Sequence, residues 1–253
     1  MRSSRFLLFL IIILFNSFSL KAQPKQFKAL LLTETAGWHH ESIPDGIAAI
    51  KELGNRHFFD VQWHQEAGKL NDKYLESFQV LIFLNTTGNI LDSAEQKVVE
   101  RFIQSGKGYV GIHSASDTEY DWEWYTQLVG RMFFLHPPIQ TARLQLTANT
   151  FPGLQGFAGN PLWTDEWYEF GEEKVKGLNY ILSVDEKSYN PAAKNATKEA
   201  KGMGAFHPIA WYHDFDGGRS FYTALGHIPA VYRDPIFLQH LYAGIYWAAT
   251  GKK

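Results

Sequence analysis

Through the first half of the chain, apolar runs of strand length alternate with segments of helical spacing. Phe27 to Thr33 is the first run, and Ile43, Ile47, Ile50 and Leu53 then recur at helical intervals behind Pro44 in a first turn. Phe58 to Trp63 predicts a second strand, Leu70 to Phe78 a short helix, and Gln79 to Asn85 a third strand. Ser93 and Gln96 frame a capping box that opens a helix over Ala94 to Ser105, which Gly106 ends. Tyr109 to Ile112 is the fourth strand. These runs are apolar throughout rather than alternating, which predicts burial on both faces. The expected class is therefore α/β: a doubly wound, mainly parallel sheet with helices on both faces.

The second half is less regular. Pro137, Pro138, Pro152 and Pro161 interrupt it, and strand-like runs cover Ala142 to Leu146, Tyr180 to Val184, Ile209 to Phe215 and Ser220 to Leu225. Asp216-Gly217-Gly218 between the last two predicts an antiparallel hairpin in this C-terminal half. Asp234 to Thr250 closes the chain as a helix with Phe237, Leu241, Ile245 and Ala248 on one stripe.

The first residues stand apart from this pattern. Arg2 and Arg5 precede an apolar run from Phe6 to Phe15, and a polar stretch ends at Lys21-Ala22. That order predicts a secretory signal peptide over residues 1–22, cleaved near Ala22, with a single domain over 23–253. An uncleaved anchor is disfavoured, because the run is about half of the roughly 20 residues that span a bilayer. The expected location is secreted or periplasmic, with no membrane attachment after cleavage.

Composition then removes several classes of function. Lys and Arg total 24 against 26 Asp and Glu, so no basic block suggests nucleic acid as a partner. There is no cysteine, so neither disulfides nor thiol catalysis is available. No GxGxxG follows the first strand, which argues against a nicotinamide cofactor. Eight Trp and 12 Tyr leave open whether the aromatics fill a core or line a sugar pocket.

In an open α/β sheet, ligands bind beyond the carboxyl ends of the strands. Trp38, His39 and His40 follow the first strand, and Asn85 to Gly88 the third. His113, Ser114, Ser116, Asp117 and Glu119 follow the fourth strand, and Gly226-His227 the last. Ionisable side chains from separate segments thus converge on one rim. Gly111-Ile112-His113-Ser114-Ala115 has the setting of a nucleophile elbow, a buried strand turning through small residues. His113 occupies the exposed position of that elbow. Ser114 as a nucleophile is a competing reading, though it lies one position off. Asp117 or Glu119 would orient His113, or Asp117 would cap a helix starting near Thr118.

The segment Gly111 to Trp124 resembles the signature of the ThuA-like (trehalose-utilisation) family. The likeness continues in Gly37 to Ile43, His136-Pro137, Asp165 to Tyr168, His207 to Trp211, Gly218 to His227 and Gly244 to Ala248. That resemblance implies a class I glutamine amidotransferase-like, flavodoxin-like fold without glutaminase chemistry, because His113 stands where the amidotransferases have cysteine. It also implies action on glycosides or 3-keto-sugars by isomerisation, elimination or hydrolysis. A separate sugar oxidoreductase would be the pathway partner. The alternative is a non-catalytic sugar-binding protein.

On this reading His113, Asp117, His40, His227 and His136 are the catalytic candidates. Trp38, Asn85, Ser114, Glu119, Trp124, Glu166 and Trp167 are the substrate-binding ones. No cofactor is required by the sequence. A divalent metal such as zinc is left open, because its ligands would come from distant segments rather than from a tight motif.

Overall fold

A computed structural model of the chain describes residues 23–68, 70–147, 150–192, 194–195 and 198–253. The expected signal peptide, residues 1–22, lies outside the described residues. The described residues form thirteen strands: β1 (Lys28–Leu32), β2 (Asp60–His64), β3 (Val80–Leu84), β4 (Gly108–Ile112), β5 (Phe133–Leu135), β6 (Gln140–Leu146), β7 (Leu162–Asp165), β8 (Glu169–Phe170), β9 (Asn179–Asp185), β10 (Lys194–Asn195), β11 (Lys198–Glu199), β12 (Pro208–Phe215) and β13 (Gly218–Thr223). Among the described residues the helices are α1 (Ile43–His57), α2 (Asp72–Leu75), α3 (Ser93–Gln104), α4 (Glu123–Val129) and α5 (Pro235–Thr250).

The main sheet has nine strands in the order β2-β1-β3-β4-β13-β12-β9-β6-β7. From β2 to β13 every pairing is parallel, and from β13 to β7 every pairing is antiparallel. The parallel half has the buried, uninterrupted strands that its apolar runs require: β3 and β4 are buried at every position. Gly108 of β4 faces Ala248 of α5, whereas its neighbour Tyr109 reaches the Tyr125 hydroxyl of α4. Successive strand residues point to opposite faces, so helices cover both. The antiparallel half reaches well beyond the β12–β13 hairpin, which turns through Asp216 and Gly217.

Three local expectations need correction. The second strand is Asp60–His64 rather than Phe58 to Trp63, and it is a half-exposed edge strand. Phe58 instead ends α1 in the left-handed region, at φ 59°. The N-cap of α3 is Asp92, one residue before Ser93: its carboxylate accepts the Ala94 and Glu95 N–H groups while Glu95 reaches back to the Asp92 N–H. Asp117 caps no α-helix. It ends a single 3-10 turn over His113–Asp117, and α4 begins only at Glu123.

α5 packs on β3, β4 and β13. Within that contact His240 is fully buried against Phe157, Phe221 and Phe237. Burial alone pushes its pKa from 6.5 down to about 3. The unfolded chain takes up this proton near 6.5, while the folded chain resists it down to about 3. Folding is therefore favoured fully above that window and progressively less as pH falls through it. The slope from this one group approaches about 1.4 kcal/mol per pH unit. His240→Leu is expected to flatten the pH dependence of urea-unfolding stability below about pH 6. An unchanged slope would refute the assignment.

Candidate active site

The carboxyl ends of the parallel strands deliver the site. His40 lies in the loop between β1 and α1, His113 directly follows β4, and His227 follows β13 by way of Gly226. His113 adopts φ 50°, a left-handed conformation that is uncommon outside glycine, as expected of an elbow. The fourth element, Glu166, comes from the link between edge strand β7 and the short β5–β8 ribbon.

His113 is fully buried. Its Nδ1–H donates to the Ala224 carbonyl at 2.8 Å, which leaves Nε2 facing His227 Nδ1 at 3.1 Å and Glu166 Oε2 at 3.5 Å. Glu166 Oε2 also lies 3.2 Å from His227 Nδ1, and its other oxygen accepts from His136 Nδ1 at 3.0 Å. Burial would raise the Glu166 carboxyl, but the imidazoles of His113, His136 and His227 around it outweigh burial and hold it far below the ordinary carboxylate range. His40 sits edge-on to the rings of His113 and His227, with Ser114 Oγ at 3.3 Å from its Nδ1. Burial, then the neighbouring imidazoles of His113 and His227, push its pKa down to about 2, so it is a neutral ring at any ordinary pH.

The neighbouring Asp165 is shifted the other way. It is raised by complete burial, an effect eased by His113 and by the N–H groups of Gly226 and Glu166. Its carboxylate accepts the backbone N–H groups of Gly226 at 2.9 Å and His227 at 3.1 Å, so it fixes the loop that carries His227. Gly226 is at φ 120°, and a Cβ there would meet the Tyr232 hydroxyl.

A cavity of about 450 Å³ opens over this cluster, lined by Trp38, His40, Asp117, Phe133, His136, Glu166, Tyr168 and His227. Its volume lies in the range of small-molecule sites. Trp38, 73% exposed, stands at the mouth. Tyr168 packs on the rings of His113 and Phe133, both at 4.2 Å between centroids. The His207 Nε2–H donates to the Tyr168 carbonyl and braces it.

His40, His113, His136, His227, Glu166, Asp117 and Trp38 are thus brought together, with His113 beneath the cavity floor rather than on its wall. The remaining candidates are placed elsewhere. Glu119 is spent on the Ile90 and Leu91 N–H groups and on Gln96, so it does not orient His113. Asp117 accepts from the Tyr120 hydroxyl on the cavity wall, and the ring of His113 is held by Ala224 and Glu166 instead. Asn85 is buried and donates to Ser42 Oγ, which donates to the Gly226 carbonyl; it braces the loop rather than lining the cavity. Ser114 is fully buried under His40, closed to a substrate carbonyl. Trp167 is a core residue whose indole N–H donates to Gln140. Trp124 bonds Asp216 in the β12–β13 turn, at the opposite end of the strands from His113.

Sequence reasoning missed Tyr168, Asp165 and Phe133. For the first two a signal existed. An extended Asp165 to Tyr168 alternates sides, so Glu166 and Tyr168 share one face while Asp165 and Trp167 share the other.

No match is found among curated proteins. Among solved structures, the chain is similar to a ThuA-like protein from Bacteroides uniformis at TM-score 0.75 and 22% identity, covering 92% of this chain and 95% of that one. It is also similar to a ThuA-like protein from Parabacteroides merdae, at TM-score 0.69 and 18% identity over 91% of each chain. Alpha-L-fucosidase isoenzyme 2 from Paenibacillus thiaminolyticus gives TM-score 0.57 at 11% identity, covering 89% of this chain and 33% of that one, a likeness of fold alone. The sequence model for ThuA, trehalose utilisation, matches residues 28–248, nearly the whole described chain, and the chain therefore belongs to the ThuA family.

Proposed function

We propose that this ThuA-family chain is an enzyme that acts on a glycoside or 3-keto-sugar, built on a doubly wound, class I glutamine amidotransferase-like frame. The observation that carries the reading is the convergence of His40, His227 and Glu166 on one cavity with aromatic walls, with His113 directly beneath them. Aromatic faces suit the C–H faces of a sugar ring, and the polar floor suits its oxygens.

A keto group at C3 acidifies the neighbouring C–H. Glu166, kept ionised on the cavity wall, is placed to take that proton, with His227 and His136 beside it to hold the carbonyl oxygen. The C–H electron pair moves onto that oxygen as an enolate. Return of the proton to carbon on the other face gives isomerisation; expulsion of the glycosidic oxygen, which takes the proton, gives elimination. Neither route needs a nucleophile or a redox step, so the oxidation that makes the keto-sugar falls to a separate oxidoreductase. The arginines and apolar run at the start of the chain support export to the periplasm or beyond.

The test is to incubate the pure protein with 3-keto-trehalose and related keto-glycosides and to follow products by NMR, with and without chelator. Conversion of at least one of them is expected; binding without conversion across the panel would leave a sugar-binding protein instead. Trp38→Ala is expected to raise KM about tenfold with little change in kcat, the mark of binding shared by substrate and transition state. A loss confined to kcat would remove Trp38 from the substrate platform.

A further inference from the structure

The geometry points to a divalent metal site formed by His40, His113, Glu166 and His227, with three imidazoles and one carboxylate taking a first-row ion such as zinc. One donor atom from each residue lies within 4.8 Å of the others. The closest three are His113 Nε2, His227 Nδ1 and Glu166 Oε2, spaced 3.1, 3.2 and 3.5 Å apart. A zinc ion about 2.0–2.1 Å from each of four tetrahedral ligands would set them roughly 3.3 Å apart, so these three atoms already form one face of that polyhedron.

The surrounding contacts agree. The Nδ1–H of His113 is spent on the Ala224 carbonyl, which directs the Nε2 lone pair into the cluster. Ser114 occupies Nδ1 of His40, and His136 holds the second oxygen of Glu166, leaving Oε2 to the centre. Metal-binding histidines and carboxylates are oriented by partners of this kind. His40, His227 and Glu166 also line the cavity, so an ion here would meet a bound ligand. The ion deepens the proposed function and rests on that reading only for its task, the polarising of a keto or enolate oxygen. Its binding stands on the four side chains alone.

The experiment uses the chain from residue 23 onward without a polyhistidine tag, stripped with chelator and dialysed. Zinc, cobalt, manganese and nickel are then titrated separately by calorimetry, with thermal melts and cobalt absorption spectra alongside. One ion per chain is expected, with Kd at or below micromolar for at least one of the four metals. At a hundredfold excess over Kd, Tm should rise by roughly 5 °C or more. Glu166→Gln, which keeps the shape of the side chain, and His227→Gln should each weaken binding at least tenfold and change the cobalt spectrum. His64→Ala, on the far edge of the sheet, should change neither. No stoichiometric binding of any of the four ions would overturn the site, as would full affinity in both Glu166→Gln and His227→Gln. Turnover of a keto-sugar by metal-free protein would overturn the ion's task while leaving the enzyme reading intact. A bound ion with no turnover would leave the site standing and overturn the enzyme reading, and the ion's task with it.

Discussion

Glu166→Gln is expected to lower turnover of the keto-sugar by at least about a hundredfold, the lower range for loss of a positioned acid or base. Its carboxylate is the hub of the site: three histidines address its two oxygens, and it lies on the cavity wall where a substrate proton would be. The amide keeps the volume but has one oxygen to accept with and no charge to offer. His113→Asn should cost a comparable factor for a different reason. His113 does not line the cavity; it holds Glu166 and His227 in place from below. Asn tolerates φ near 50° and retains a donor for the Ala224 carbonyl, so the elbow survives while Nε2 is lost. Both variants should melt within a few degrees of the parent, and kcat should fall far more than KM rises. His64→Ala is the control, since His64 bonds Tyr74 and Gln62 on edge strand β2. Wild-type kcat in Glu166→Gln would remove the carboxylate from the chemistry.

Much of this site was legible in the sequence, for a topological reason. His40, His113 and His227 each follow a parallel strand, and parallel strands deliver their carboxyl ends to one rim whatever their separation along the chain. What failed was the step from nearness in sequence to direction in space. Trp124 lies in the stretch that carries the family likeness, yet it sits on α4 with its indole bonded at the other end of the strands. Glu119 and Asn85 are polar residues beside strand ends, but Glu119 is consumed by the Ile90 and Leu91 N–H groups and Asn85 by the Ser42 hydroxyl that holds the Gly226 loop. The register of a 3-10 turn differs from that of an α-helix, so the side to which Asp117 points after His113 could not be read from an α-helical count. Glu166 posed the opposite problem. It follows β7, at the far edge of the sheet, and only the link to the β5–β8 ribbon returns it to the rim. The strands of the antiparallel half that makes this return are joined by proline-bearing loops, and no periodicity encodes their order.

The same close packing that aims the site makes one small residue decisive for the fold. Gly108→Ala is expected to destabilise the protein by about 3 kcal/mol or more, at or beyond the usual upper range for overpacking a core. Gly108 opens β4, paired with Val80 of β3 on one side and Arg219 of β13 on the other. A Cβ on it would fall on the carbonyl carbon and oxygen of Ala248 in α5. The obstacle is main chain, so no rotamer change relieves it. The Arg219 Nε–H donates to that same carbonyl at 2.9 Å and pins it where it is. Relief therefore requires α5 to lift from the sheet, and α5 buries Phe237, Leu241, Ile245 and Ala248 there. For a chain of this size the loss corresponds to a Tm lower by roughly 6–12 °C, with the urea midpoint reduced at constant slope. Gly68→Ala is the matched control, because a Cβ there meets nothing within 4 Å, and its Tm should stay near the parent's. Equal melting of the two variants would show that α5 yields to the methyl at little cost. A large gap between them would show that the helix and strand backbones touch at Gly108, five residues before His113, with no room to spare.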